Sequence, residues 1–226
     1  MSTRADYDAF VKSHPALFAN PSGAGFVILL DEGEIQEAER QMAQRLATRH
    51  LPAEWTRAGI AYQDQYRLVL RDAVRFPNQS LGIYTRIVRD GVPGVIILPV
   101  YQEQVLLIRH FRHATRTWHL EIPRGYGEEG SSSEENARRE LKEEIGATIS
   151  HLVSLGNAYP DTGVLSEHNN FFYAEVETYG AIEADEAIVE LLPTSTSEFE
   201  RMIRENEIED GFTLTAYGLA KAKGLL

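Results

Sequence analysis

The chain has 226 residues, no cysteine and a formal charge of -12, from 34 acidic against 22 basic side chains. That length supports one sizeable core with a small appendage, and the lack of cysteine excludes any dependence on disulfides and suits a reducing compartment. The acidic balance excludes general nucleic-acid binding, which draws its affinity from Lys and Arg neutralising phosphates, so an anionic substrate needs a cation and locally placed arginines.

The opening MSTRADYDAFVK lacks the basic-then-apolar pattern of a signal peptide. No apolar run reaches the roughly 18 residues that a bilayer span needs. The expectation is a cytoplasmic protein with no membrane partner. The first fifty or so residues read as helical: ADYDAFVKS runs to a break at His14-Pro15, and GEIQEAERQMAQRLATRH places Ile35, Ala38, Met42 and Leu46 at helical spacing. Pro21, Gly23 and Gly25 mark the loop between them.

From Trp55 the period becomes that of strands. YRLVLRDAVRF and LGIYTRIVR alternate and are rich in branched and aromatic residues, with 77–80 as the connecting loop and Asp90-Gly91 as a tight turn. They predict a β-hairpin arm. Two long strands ahead of the core leave an exposed ladder, so the arm from Tyr62 to Arg89 predicts a homodimer. Asn78-Gln79-Ser80 fits a glycosylation acceptor pattern but, with no secretory signal, reads as a plain turn.

VPGVIILPV is a continuous apolar run of the kind found in a strand buried on both faces, and QVLLIRHFR follows it. After an acidic helix, HLVSLGNAY, NNFFYAEVE and EAIVELLPT read as further strands. Ser195 with Glu198 caps a helix through about Arg204, and GFTLTAYGLAKA forms the last one. This order predicts an α/β fold with helices on both faces of a mixed sheet. Three segments are expected: an N-terminal helical extension over 1–55, the hairpin arm over 56–92 and the core over 93–226.

The acidic helix lies within GYGEEGSSSEENARRELKEEIGA, Gly125 to Ala147. Ser132 and Glu135 make a capping box, and Gly146 is a natural left-handed terminator. Glu140, Glu143 and Glu144 project from neighbouring positions, while Ala137, Leu141 and Ile145 form the opposing apolar stripe. The acidic side is therefore expected to point outward. Like charges at this spacing repel, and the cluster is costly without a cation. Hard oxygen donors without cysteine suit magnesium or manganese better than zinc. His110, His113 and His119 are embedded among strand residues and do not suggest a zinc site.

This segment resembles the Nudix hydrolase box: a glycine, five residues, a glutamate, seven residues, then Arg-Glu-apolar-x-Glu-Glu-x-Gly-apolar. Gly125, Arg139, Glu140, Leu141, Glu143, Glu144 and Gly146 fall on its positions. Ser131 stands where the box has a glutamate that braces loop and helix, and Ala147 where it has a bulky apolar residue. The resemblance covers roughly 57–226 and implies the Nudix alpha/beta/alpha sandwich. The flank LIRHFRHATRTWHLEIPRGYGEEG is similar to the one preceding the box in ADP-ribose pyrophosphatases, with Arg109, Arg112, Glu121 and Pro123 matching. Beyond the box, YPDTGVLSEH matches at Gly163 and Glu167, with Thr162 in place of the proline that marks ADP-ribose specificity. The tail EIEDGFTLTAYGLAKA is similar to the subgroup's closing pattern.

The resemblance implies hydrolysis of the diphosphate of ADP-ribose or a related nucleotide sugar, giving a nucleoside monophosphate and a sugar phosphate, with Mg2+ or Mn2+ as cofactor. The expected metal ligands are Glu140, Glu143, Glu144 and the main-chain carbonyl of Arg124. The catalytic set is Glu167 as base, Glu143, and Arg139 orienting the carboxylates from behind. Arg109, Arg112 and Glu121 are the expected substrate-binding residues, since planar guanidinium donors match phosphate oxygens. Gly125, Gly127 and Gly130 are expected either to cradle a phosphate through backbone amides or, the favoured role, to shape the turn so that a carbonyl meets the metal. In ADP-ribose pyrophosphatases the N-terminal region is exchanged between subunits, which makes Tyr66, Phe76 and Tyr84 candidates for stacking on adenine. The competing readings are a Nudix-fold nucleotide-binding module, suggested by Ser131 and Thr162, and a Nudix hydrolase of another nucleoside diphosphate derivative.

Overall fold

The computed structural model describes residues 4–89, 91–180 and 187–226. Asp90 of the expected Asp90-Gly91 turn, Glu186 at the head of EAIVELLPT and the first three residues lie outside them. The chain divides into two compact units, Met1–Asp90 with Asp161–Ser166, and Gly91–Pro160 with Glu167–Leu226.

In the first unit, α1 (Arg4–Ser13) stops ahead of the short 3-10 turn Pro15–Phe18, because a proline disfavours helical backbone in the residue before it. Helix α2 (Glu32–Ala47) starts on Asp31, whose Oδ1 accepts the Glu34 N–H at 3.1 Å. It buries Ile35 and Ala38 in one cluster with Ala73 and Ile83, and Met42 packs at the cluster's edge. The expected hairpin is β3 (Leu68–Arg75) with β4 (Leu81–Val88), in register from Leu68 opposite Val88 to Arg75 opposite Leu81.

Two further strands join the hairpin. Strands β1 (Val27–Ile28) and β2 (Gly59–Gln63) share the other edge of β3. They are short and β2 is largely exposed, so neither carries a period that sequence reading detects. The segment 161–166 lies along β4, where Ile87 N–H donates to the Val164 carbonyl at 2.8 Å and Ser166 N–H to the Ile87 carbonyl at 3.1 Å. Buried Asp72 ties the helical segment to this sheet, accepting Tyr7 Oη at 2.7 Å and Arg86 Nε at 2.6 Å. Arg86 also donates to the Leu17 carbonyl and lies over the Phe18 ring.

The second unit is built on a mixed sheet of β5 (Val95–Tyr101), β6 (Gln104–Arg112), β7 (Thr117–Glu121), β8 (Arg124–Gly125), β9 (Thr148–Ala158), β10 (Asn169–Thr178) and β11 (Ile188–Ser195). The order is β11-β6-β5-β10-β9, with β5 and β10 parallel. Alternate residues of its central strands feed two separate cores. Ile96, Leu98, Leu107, Phe171 and Tyr173 pack with Phe199 and Met202 of α4 (Thr196–Arg204) and Ala216 and Ala220 of α5 (Gly211–Ala222). Val95, Ile97, Leu106, Ile108, Phe172 and Ala174 pack with Ala137, Leu141 and Ile145 of α3 (Ser133–Ile145). A strand with both faces covered has no polar positions to spare, which is why VPGVIILPV reads as an unbroken apolar run. The expected alpha/beta/alpha sandwich is observed.

Strands β5 and β6 pair only through Val100 with Val105 and Tyr101 with Gln104 before they part. Beyond that point β7 pairs with β6 and β8 with β5, so 117–125 fills the opening. Within this segment the Arg124-Gly125 turn lies against α3. Among the described residues, no helix is long and apolar enough to cross a membrane.

Candidate active site

Helix α3 begins with the expected capping box: Ser132 Oγ accepts the Glu135 N–H and Glu135 Oε2 accepts the Ser132 N–H at 2.7 Å. It ends on Gly146, whose φ of 59° is left-handed. Between these ends, Asn136, Glu140 and Glu144 are spaced four apart and all three are buried. The expectation that the acidic side points outward is therefore corrected for two of its three members. The reason is steric. Gly125 has no side chain, and a Cβ there would overlap the Glu140 carboxylate, so the β8 turn packs directly onto the helix.

Two members of this stripe hold the turn through its backbone. Glu144 Oε2 accepts the Arg124 N–H at 3.2 Å, and Asn136 Oδ1 accepts the Glu128 N–H at 3.1 Å. Glu143 is the outward carboxylate, its side chain 45% exposed. Arg139 gathers the remaining groups: Nη1 reaches Glu143 Oε2 at 3.0 Å and Glu128 Oε1 at 3.4 Å, while Nη2 reaches Glu140 Oε1 at 2.9 Å and the Tyr126 carbonyl at 3.0 Å. Ser131 offers no carboxylate to Arg139, and Glu128, three residues earlier, makes that ion pair instead.

Among the described residues, no group of three or more His, Asp or Glu side chains is disposed to hold a metal as it stands. Arg139 pairs with Glu140 and Glu143 in this arrangement. The donor chemistry nonetheless fits a hard divalent cation: the Glu140 and Glu144 carboxylates lie against the Arg124-Gly125 backbone, with no sulfur or imidazole in the set.

Glu121, fully buried, forms a second charged cluster. Arg112 makes two bonds to it, one through Nε at 3.1 Å; Arg124 Nη2 lies at 3.3 Å and His110 Nδ1 at 3.2 Å. Burial pushes this carboxyl up, but contact with His110 and Arg112 and the charges of Arg124 and Arg112 outweigh it and hold it below its ordinary value. Glu121 is thus a support for cationic side chains. Arg112 and Arg109 are not brought together: Arg109 lies over the Trp118 ring and near Glu190, as expected for strand positions three apart, which face opposite sides.

Glu167 is half-buried and stands two residues ahead of the start of β10, where Asn170 N–H donates to the Gly94 carbonyl at 2.9 Å. In the first unit, Phe76 and Tyr84 each meet Phe26 edge-on at 5.5 Å, and Tyr66 is exposed on the β2–β3 turn. Sequence reasoning missed Asn136, Asp210 and Thr213. Asn136 sits on the same stripe as Glu140 and Glu144, a polar residue of poor helix propensity in a helix interior, and that was the available signal. Asp210 Oδ1 accepts Arg124 Nη1 at 2.9 Å, and Thr213 Oγ1 accepts the Ile122 N–H at 3.1 Å.

A family model described as NUDIX domain matches residues 91–216, more than half of the chain. The ADP-ribose pyrophosphatase of Bacillus subtilis (strain 168) is 29% identical over 140 residues, covering 59% of this chain and 75% of that protein. The ADP compounds hydrolase NudE of Escherichia coli (strain K12) is 28% identical over 113 residues, half of this chain and 61% of the relative's length. Among solved structures, an ADP compounds hydrolase superposes with a TM-score of 0.66 at 20% identity, covering 75% of this chain and 94% of that one, a likeness of fold.

Proposed function

The chain belongs to the Nudix hydrolases, and on that premise we propose that it hydrolyses the diphosphate of ADP-ribose or a related nucleotide sugar, releasing a nucleoside monophosphate and a sugar phosphate. The observation that carries this reading is the burial of Glu140 and Glu144 against the Arg124-Gly125 turn, an oxygen-rich site that glycine alone leaves room for. The names of the two relatives, ADP-ribose pyrophosphatase and ADP compounds hydrolase, support an ADP-containing substrate.

Mg2+ or Mn2+, when bound, would neutralise diphosphate oxygens and acidify water. Glu140, Glu143, Glu144 and the Arg124 carbonyl are the residues that would hold it. Arg139 orients Glu140 and Glu143 and ties them to the turn through the Tyr126 carbonyl. Glu167 takes the proton from the attacking water, the role of a general base. Arg112 spends two of its donors on Glu121, and a guanidinium carries further N–H groups for a phosphate oxygen. Arg109, half-exposed on Trp118, is a second contact farther out.

The protein acts in this reading as a cytoplasmic homodimer formed through the first unit. The outer edge of β2 supports the dimer, since among the described residues that strand pairs only with β3. Release of phosphomonoester from a panel of nucleotide sugars, read with a coupled phosphatase in Mg2+ or Mn2+, tests the activity. Turnover of an ADP-sugar is expected. Binding without turnover of any member would leave a Nudix-fold nucleotide-binding module instead.

A further inference from the structure

We propose that Asp210 is a positioning residue for the metal site, acting through the Arg124 side chain from the far face of the sheet; this rests on the reading of Glu140, Glu144 and the Arg124 carbonyl as ligands. Arg124 is contacted on both sides. Its main-chain N–H donates to Glu144 Oε2 of α3 at 3.2 Å, while its guanidinium donates to Asp210 Oδ1 at 2.9 Å and Glu121 Oε2 at 3.3 Å. The same guanidinium lies over the Phe212 ring, 4.7 Å from its centroid.

Asp210 is the N-cap of α5 and is itself held. Its Oδ2 accepts the Thr213 N–H at 2.9 Å and the Thr213 hydroxyl at 2.8 Å. Thr213, fully buried, in turn accepts the Ile122 N–H. Two points of the segment 121–125, the Ile122 amide and the Arg124 side chain, are therefore fastened to one helix start. Strand β8 has only two residues and pairs with β5 through Val95 with Gly125 and Ile96 with Arg124. So short a strand has little pairing of its own to fix where its carbonyl points. The clamp from α5 supplies that rigidity, and a ligand oxygen set this way binds a cation without first being ordered.

This arrangement also gives Asp210 and Thr213, both in EIEDGFTLTAYGLAKA, a physical role tied to the site rather than to the helix alone. A purely structural role predicts lower stability with unchanged metal affinity. A positioning role predicts the reverse separation.

The test is Mn2+ binding to the full chain without substrate, by electron paramagnetic resonance of free Mn2+, for wild type and for Asp210→Asn, Arg124→Gln, their double variant and Glu144→Gln. Asparagine still caps a helix but lacks the charge that holds Arg124. Asp210→Asn is expected to weaken Mn2+ about ten-fold while keeping its metal-free melting temperature near wild type. Arg124→Gln leaves the cap intact and keeps the question open to test should Asp210→Asn fail to fold. It is expected to weaken Mn2+ comparably, and the double variant to lose little more, as coupled residues do. Wild-type affinity in both single variants, with Glu144→Gln impaired, overturns the inference alone. Wild-type affinity in Glu144→Gln removes the metal reading and this inference with it.

Discussion

The Glu140 carboxylate occupies the space in which any side chain at Gly125 would have to stand. A buried acidic group on α3 and a bare stretch of β8 backbone are thereby fitted to each other. Gly125→Ala is expected to push Glu140 off its position, costing about 1–3 kcal/mol of stability from overpacking. The same displacement should lower turnover about 100-fold. Denaturant melts and steady-state rates on the same preparation check both, and an alanine variant with wild-type kcat would show that the Glu140 position does not matter.

Glu144 and Glu143 differ in burial, so their isosteric variants should separate stability from activity. Glu144→Gln removes charge from a buried group that accepts the Arg124 N–H and is expected to cut kcat at least about 100-fold. Glu143→Gln changes a half-exposed side chain and should lower activity with a melting temperature close to wild type. Unaltered metal dependence and rate in both would dissolve the proposed cluster.

For Glu167→Gln, kcat is expected to fall about 100-fold or more with Mn2+ affinity near wild type, because a base acts on the water and not on the cation. Single-turnover rates alongside Mn2+ titrations decide this. A normal rate would reassign the residue.

Glu121 is held ionised below its ordinary value of 4.5 by the cations around it. A carboxyl lowered in the folded state stabilises the fold above its unfolded value, and that contribution is lost as pH falls through the folded one. Glu121→Gln should cost about 3 kcal/mol at neutral pH by leaving Arg112 and Arg124 short of their buried partner. It should also flatten the decline in stability below about pH 4.5. Denaturation midpoints across an acid pH series would show whether the curve flattens.

The open edge of β2 should support a dimer. Sedimentation at micromolar concentration is expected to give twice the chain mass, and Ile60→Pro on β2 to give the monomer by removing a donor from that strand. A wild-type monomer with full turnover would remove the dimer from the mechanism.

Much of the second unit was legible because its signals are local. Ser132 with Glu135 and Ser195 with Glu198 mark helix starts within one turn, and each is made as read. The apolar run of β5 is long enough to declare a strand covered on both sides, and β6 and β10 are found where strands were read. The strands β1 and β2 were not legible, since two half-buried residues and five that are largely exposed carry no period.

The sequence by itself determined the family, the order of the helices and longer strands, and which carboxylates and arginines are available for chemistry, because spacing along a helix or strand is set by the backbone's own repeat. Tertiary structure decided which of those groups meet. It turned Glu140 and Glu144 inward onto a glycine turn, separated Arg109 from Arg112, enclosed Glu121 among cations, and brought Asp210, 86 residues distant, onto Arg124. Those outcomes depend on where β5 and β6 part and on what fills the opening between them. Pairing between strands distant in sequence is a property of the packed sheet, and no local repeat encodes it.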